Sequence, residues 1–369
     1  MVNSVLLVFS DLGLGGVQTK IISLANVIVS QGGSCWIFLQ SGRGFSRIRD
    51  LDKRVRVYCP LDITIFGKHP FWGWRFGVFI ALVSLFFHPR SIFVSLAPFS
   101  ISVIKILSYV APWMLKRVIV NEDTYPSLYY GGGHVTHASI EDVKKWYPKA
   151  RAVIGVSRST YADLKNDFKI PSPPLMYIPN WVSSGQRLNS KKRRNIDILY
   201  AGRLAKQKQP TILAGVLSFV LKKYPGIVVQ IYADGPMKNE FISELSRLNI
   251  FDKVIFSTPV FGIDAILRKT KCLLFTSEFE GMPNIGLEAM SHGAVIAGLD
   301  VPGLRDIVDD GESGILAKDA KALSHKVIQL LRNPKTRDRL AKNAKKRVQS
   351  EFSEKNRDKF ASLLVRDNS

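Results

Sequence analysis

Short apolar runs alternate with amphipathic segments along the whole chain. Val5 to Phe9, Cys35 to Leu39, Val55 to Tyr58, Ile92 to Leu96, Arg117 to Asn121, Ala152 to Val156 and Leu175 to Ile178 read as strands. Val17 to Ser30 reads as a helix with Val17, Ile21, Leu24 and Ile28 on one face, and Phe76 to Phe87 as a buried helix. Trp181 to Asn195 breaks the rhythm with Ser183-Ser184-Gly185 and a basic run, so it reads as a linker. The pattern then restarts. Strand Ile196 to Ala201, helix Pro210 to Lys222, strand Val228 to Tyr232 and helix Met237 to Leu248 come first. Strand Val254 to Ser257, helix Ile263 to Lys269, strand Cys272 to Phe275, a helix after Pro283, strand Ala294 to Ala297 and a helix-rich terminal segment follow. Continuous apolar strands with crossover helices imply parallel sheets covered on both faces. The expected architecture is α/β, with two doubly wound domains facing across a cleft that holds the active site. Its expected divisions are 1–181, a linker 182–195, 196–350, and a C-terminal helix in 351–369 that crosses back to the first domain.

One segment carries most of the chemistry. Glu280 falls on the loop after the Cys272 strand, and Glu288 falls eight positions on, inside the next helix, which stops at Gly293. Between them Pro283 is expected to open the helix, leaving the N–H groups of Asn284, Ile285 and Gly286 free for an anion. Two carboxylates around a phosphate-sized pocket suit a diphosphate between hydroxyl-rich sugars.

Two further turns follow strands. Asp11 to Gln18 contains Gly13, Gly15 and Gly16 and opens the first helix, but lacks the third glycine and the spaced acid of a dinucleotide fingerprint. Tyr200 to Lys208 places Arg203 and Lys208 where both could reach phosphate oxygens, Arg as a fork and Lys as a point charge. Metal chemistry has little support. His134 and His137 lack a third ligand, and Asp50-Leu51-Asp52 lies among basic neighbours. The expectation is no metal and no cofactor, with Arg203, Lys208 and a helix N-terminus neutralising a departing diphosphate.

Charge adds a partner to the picture. The 369 residues carry 52 Lys and Arg against 30 Asp and Glu, a net +22. The clusters are Lys191 to Arg194, Lys144-Lys145, Arg47 to Arg56 and Arg332 to Lys359. No zinc spacing, RNP-like motif or aromatic–basic ladder points to nucleic acid. Lys68, Arg75 and Arg90 alternate with Phe71, Trp72, Trp74 and Phe76, which suits peripheral contact with an anionic membrane. The longest uncharged apolar run, Phe76 to Phe87, is too short to span a bilayer, which needs ~20 residues. Met1 to Ser10 lacks a basic n-region or cleavage site, so a cytoplasmic protein is expected, peripheral at the inner membrane face. Cys35, Cys59 and Cys272 match neither a metal-ligand spacing nor a disulfide framework.

With these motifs in order, the chain resembles the retaining, metal-independent glycosyltransferases of family 4, which have the GT-B fold of two Rossmann-like domains. The likeness is carried by Gly15 to Gln18, Ala152 to Ser157, Ile178 to Asn180, and Gly202-Arg203-Leu204 with Lys208. Ala233 to Pro236, Glu280 to Glu288, Gly293 to Val295, and Gly303 with Gly311 and Gly314 complete it. The resemblance implies a nucleotide-diphosphate sugar as co-substrate, a UDP-sugar by preference, and a glycan or glycolipid acceptor. Arg203 and Lys208 would bind the diphosphate, Glu280 would contact sugar hydroxyls, and Glu288 would hold the ribose. Gly281, Met282, Pro283 and the amides of Asn284 and Ile285 would line the donor, and Gly15 and Gly16 would let the first domain close over it. Two departures stand out. Gln18 replaces the usual Glu, and Asn121-Glu122 stands where many members carry His; Gln18, Asn121 and Glu122 are therefore candidates for the sugar or acceptor site. Two rival readings are a sugar-nucleotide epimerase of the same architecture and a non-enzymatic basic module for anionic lipid or nucleic acid. The first fits the paired glutamates with Arg203 less well, and the second would not need Glu280 or Lys208.

Overall fold

The structure is a computed structural model that describes residues 4–13, 15–39, 41–42, 44–59, 92–96, 99–134, 138–171, 174–182, 194–258 and 262–365. The Phe76 to Phe87 segment, the aromatic–basic alternation from Lys68 to Arg90, His137 and most of the linker lie outside them. The chain divides into two compact units, residues 1–180 with 355–369, and residues 181–354.

In the first unit the described strands are β1 (Ser4–Phe9), β2 (Ser34–Leu39), β3 (Arg56–Tyr58), β4 (Ile92–Leu96), β5 (Val118–Glu122), β6 (Ala152–Gly155) and β7 (Leu175–Tyr177). They pair in parallel in the order β3-β2-β1-β4-β5-β6-β7. The helices are α1 (Gly16–Ser30), α2 (Phe99–Val110), α3 (Pro126–Gly131), α4 (Ile140–Trp146) and α5 (Arg158–Asn166). β1 reads Val-Leu-Leu-Val across its centre because both of its faces are covered, and all four residues are fully buried. Ser139 and Ser157 start α4 and α5 by accepting from the N–H groups of Asp142 and Thr160.

The second unit repeats the plan with β8 (Ile196–Arg203), β9 (Val229–Asp234), β10 (Ile255–Ser257), β11 (Thr270–Phe275), β12 (Val295–Leu299) and β13 (Gly314–Ala317). All are parallel, in the order β10-β9-β8-β11-β12-β13. Its helices are α6 (Pro210–Lys223), α7 (Lys238–Arg247), α8 (Asp264–Leu267), α9 (Asn284–Ser291), α10 (Leu304–Ile307), α11 (Ala320–Arg332) and α12 (Pro334–Glu351). A last helix, α13 (Glu354–Val365), buries Phe360, Ala361 and Leu364. Among the described residues no helix is long and apolar enough to cross a membrane.

Both sheets reverse direction beside their first strand, between β1 and β4 and between β8 and β11. In open α/β sheets this switch point, at the C-terminal strand ends, is where two crossovers diverge and leave a crevice. The sequence pattern misses β13, a four-residue apolar run, and overextends α8 at both ends. Arg194, read with the basic run, is no surface charge. It is half-buried, and its guanidinium donates to the carbonyls of Thr270 and of His292, the latter at 2.6 Å.

Candidate active site

The site is built on the loops that follow β8 and β11, the two strands flanking the switch point of the second sheet. β8 ends at Arg203, and a 3-10 turn at Lys206–Lys208 leads to Gln209, whose φ of 49° is left-handed, before Pro210 starts α6. The loop after β11 is fastened to that turn. Thr276 Oγ1 donates to the Lys208 carbonyl at 3.0 Å, and Glu278 N–H donates to the Gln207 carbonyl at 2.8 Å. Gln207 Nε2 donates back to the Phe279 carbonyl at 2.8 Å. Residues about seventy apart in sequence are thus held as one rigid corner.

Within that corner Lys208 and Glu280 meet. Lys208 Nζ lies 2.6 Å and 2.8 Å from the two Glu280 carboxylate oxygens, and Ser277 Oγ donates to Oε1 at 2.6 Å. The Glu280 side chain is 7% exposed and that of Lys208 is 23% exposed, so the ammonium has access to solvent while the carboxylate is enclosed. Burial, with the nearby Glu280 charge, pushes the Tyr200 hydroxyl well above its ordinary pKa. A third loop closes behind Glu280, whose N–H donates to the Pro302 carbonyl at 3.0 Å. Gly303 has φ of 77°, and a Cβ there would sit 2.2 Å from the Glu280 carbonyl oxygen. Only glycine permits that approach.

Gly281, Met282 and Pro283 are buried in the descent to α9, whose first residue is Asn284, with Pro283 as the cap. The Asn284 and Ile285 amides are the first two of the helix and have no carbonyl four residues back within it. The Gly286 amide, expected to be free, is not. It donates to the Pro283 carbonyl at 2.9 Å because the first turn tightens. Asn284 Oδ1 is buried and has no hydrogen-bond partner. Half-buried Glu288 lies four positions after Asn284, on the same helix face. Arg203 is exposed at the end of β8, in register with Asp234.

The remaining candidates lie in the first unit, after β1 and at the end of β5. Gly15 caps α1, Gly16 is its first residue, and Gln18 Nε2 donates to Asp11 Oδ1 at 3.4 Å. Asn121 and Glu122, the candidates for the sugar or acceptor site, are the last two residues of β5 and have no exposed surface. Glu122 accepts from Tyr147 at 2.7 Å, Tyr130 at 3.0 Å, and Thr124 Oγ1 at 2.5 Å. Burial raises its pKa, against the lowering effect of those donors. Asn121 Oδ1 accepts from Lys20 Nζ at 3.1 Å, and that ammonium also meets Asp123 at 3.1 Å and Asn180 at 2.7 Å. Lys20 was missed by sequence reasoning, although a signal exists. It stands three residues after Val17 and four before Leu24, a lone cation on the apolar face of α1. Ser277 and Gln207 were missed because their roles depend on which strands become neighbours.

Among the described residues, no three His, Cys, Asp or Glu side chains group as metal ligands. The Cys35 and Cys272 thiols are both buried, which pushes their pKa values up to about 12.

Comparison with known proteins places this corner in a family. Residues 186–347 match the family described as glycosyl transferases group 1. The Campylobacter jejuni N-acetylgalactosamine-N,N'-diacetylbacillosaminyl-diphospho-undecaprenol 4-alpha-N-acetylgalactosaminyltransferase is 26% identical over 212 residues, 55% of this chain and 56% of that protein. A second Campylobacter jejuni enzyme, GalNAc-alpha-(1->4)-GalNAc-alpha-(1->3)-diNAcBac-PP-undecaprenol alpha-1,4-N-acetyl-D-galactosaminyltransferase, is 23% identical over 92% of each chain. The chain spans about half the length of other curated relatives it matches, such as Bacillus subtilis spore coat protein SA. Among solved structures, Anabaena HepE in complex with UDP-glucose superposes with a TM-score of 0.77 at 14% identity, over 98% of this chain and 99% of that one. The fold is the GT-B arrangement of two Rossmann-like units.

Proposed function

We propose that this chain, whose residues 186–347 form a glycosyl transferases group 1 domain, is a retaining, metal-independent glycosyltransferase. It moves a hexosyl or N-acetylhexosaminyl group from a nucleotide-diphosphate sugar, a UDP-sugar by preference, to a hydroxyl of a glycan or glycolipid. The observation that carries this reading is the Lys208–Glu280–Ser277 cluster beside the α9 N-terminus, at the switch point of the second sheet. UDP-glucose in a protein of the same fold supports the donor class. The diphospho-undecaprenol acceptors named for two relatives support a lipid-linked acceptor, in the synthesis of cell-surface polysaccharide, lipopolysaccharide or lipid-linked oligosaccharide.

In this reading Arg203 and the Lys208 ammonium take the diphosphate oxygens, with the Asn284 and Ile285 amides as neutral donors. The buried Asn284 Oδ1 has an acceptor to offer a ligand hydroxyl. Glu288, on the same face, holds the ribose. Glu280, oriented by Ser277, accepts from a sugar hydroxyl while Gly281, Met282 and Pro283 shape the floor. The bond from the anomeric carbon to the phosphate oxygen breaks as the acceptor oxygen attacks from the same face. The leaving phosphate takes the acceptor's proton, so no protein base is used. Each well-placed cation opposing the charge on that phosphate lowers the barrier by about 3–4 kcal/mol. Acceptor handling falls to the first unit, around Gln18.

A thermal-shift screen of the whole chain against UDP, GDP and their sugars tests the donor class. A uridine diphosphate ligand raises the melting temperature, and the rise continues with the logarithm of its concentration above Kd; no shift with any nucleotide diphosphate contradicts the reading.

A further inference from the structure

The basic excess of the chain and its exposed aromatic rings meet at one place in the first unit. Tyr109, near the end of α2, and Trp113, in the 3-10 turn Pro112–Arg117, are 73% and 63% exposed, the highest values among the large apolar side chains described. Lys105 lies one helical turn before Tyr109 and Lys116 three residues after Trp113, and both are exposed. The Tyr109 ring meets Trp146 of α4 edge-on at 6.2 Å. Lys145 and Lys149 Nζ lie 5.0 Å and 4.3 Å from the centroid of that same Trp146 ring. The exposed Tyr109 ring thus touches a buried tryptophan that two ammonium groups flank. The acids of α4 do little to cancel them, since Glu141 lies 3.7 Å from Lys144 and Asp142 is engaged in the Ser139 cap.

Leaving a tryptophan and a tyrosine in water forgoes burial that a folded chain ordinarily secures. Amphipathic rings settle at the headgroup level of a bilayer, and lysine stems lie along apolar surface while their ammonium groups reach phosphate. We propose that the face formed by the end of α2, the Pro112–Arg117 turn and the Lys144–Lys149 segment docks the first unit on an anionic lipid surface. The inference rests on the lipid-linked acceptor reading above and locates the contact that reading requires. Positive charge beside exposed tyrosine and tryptophan rings is the combination that suits an anionic lipid headgroup layer. Each lysine brought to an anionic leaflet strengthens binding about fivefold, so four together give an attraction that is strong at low salt and screened at high salt.

Flotation of the full chain with vesicles of phosphatidylcholine alone, or mixed with phosphatidylglycerol, tests the proposal. The wild-type chain is expected to float with the phosphatidylglycerol vesicles at low salt and to be released by high salt. Tyr109→Ser with Trp113→Ser, and separately Lys105→Glu with Lys116→Glu, should each lower the bound fraction at least tenfold, about two lysines' worth or more. The response to UDP should stay unchanged, because all four side chains are exposed and lie outside the donor site, and the melting temperature should fall only by what loss of the edge-on Tyr109–Trp146 contact costs. Variants that float like the wild type overturn this surface while leaving the lipid-linked reading intact. A wild-type chain that ignores phosphatidylglycerol vesicles overturns both the surface and the membrane contact, and the UDP response then judges the glycosyltransferase reading alone. A concentration-dependent dimer in sedimentation, abolished by the Tyr109 and Trp113 substitutions, would assign the rings to a second copy and overturn the proposal.

Discussion

In each unit a lysine meets a carboxylate that is itself enclosed, and the two lysines differ in access. Lys208 pairs with Glu280 with 23% and 7% of their side chains exposed, at the C-terminal ends of β8 and β11. Lys20 pairs with Asp123 at 4% and 10%, and is further held by Asn121 and Asn180. Lys20 also lies 5.9 Å from the Phe360 ring of α13. The first ammonium can exchange its carboxylate for an arriving anion. The second holds together α1, the end of β5, the last residue before the chain leaves the unit, and the helix with which it returns. Lys20 is so enclosed that burial lowers its pKa despite the attraction of Asp123. Solvent access to the cation is thus what separates the Lys208 pair from the Lys20 pair.

Breaking each cluster should give opposite signatures. The largest effect is expected from Lys208→Ala, which should lower turnover by ~10²–10³-fold while the chain still folds with native circular dichroism. Wild-type-like turnover would remove Lys208 from the chemistry. Next comes Lys20→Met, which leaves Asp123 without its cation and should cost the first unit about 3 kcal/mol in denaturant unfolding. The second unit's response to UDP should survive it; loss of that response at full stability would reverse the roles assigned to the two lysines. Ser277→Ala removes one donor from Glu280 and should cost about 1 kcal/mol of stability, together with a fall in kcat. An unchanged kcat would show that the Lys208 contact alone orients the carboxylate.

The smallest effect sharpens the comparison from the acid's side. Asp163, on α5, accepts from Ser127 N–H at 2.8 Å and Ser127 Oγ at 2.5 Å, and burial, with neighbouring Asp167 adding to it, raises its pKa to about 6. The folded chain keeps that proton above the pH at which the unfolded chain, with its ordinary value of 3.8, releases it. Between those values the folded state binds more protons at this site, so the contribution of Asp163 to stability is greatest below about pH 4 and is lost as pH rises through about 6. Allowing for solvent near the carboxyl, the decline should be on the order of 1 kcal/mol. Asp163→Asn should flatten it in a series of urea titrations, and an unaltered slope would show that Asp163 is not its source.

The fold class was legible because parallel strands buried on both faces leave apolar runs, such as Val5 to Phe9 and Cys272 to Phe275, that local pattern alone reveals. The Glu280 to Glu288 segment was legible for a similar reason: strand, loop, proline, helix and Gly293 follow in order within one short stretch. What could not be read was contact at long range. The Lys208–Glu280 pair requires β8 and β11 to be neighbours, which is a property of topology rather than of either segment. Glu122 looked available beside Asn121, but the hydroxyls of Tyr130 and Tyr147 that enclose it come from α3 and the turn after α4. Gly303 reads as a turn glycine until the Glu280 carbonyl is seen beside it.

Calorimetric titration of UDP into the wild-type chain, Lys208→Ala and Lys20→Met at one temperature and salt compares the two lysines directly. The wild type should bind, Lys208→Ala should lose about tenfold or more in affinity, as a charge-assisted contact of ~1.5–3 kcal/mol requires, and Lys20→Met should bind with near wild-type affinity. Equal UDP affinity in the wild type and Lys208→Ala would contradict the role given to Lys208.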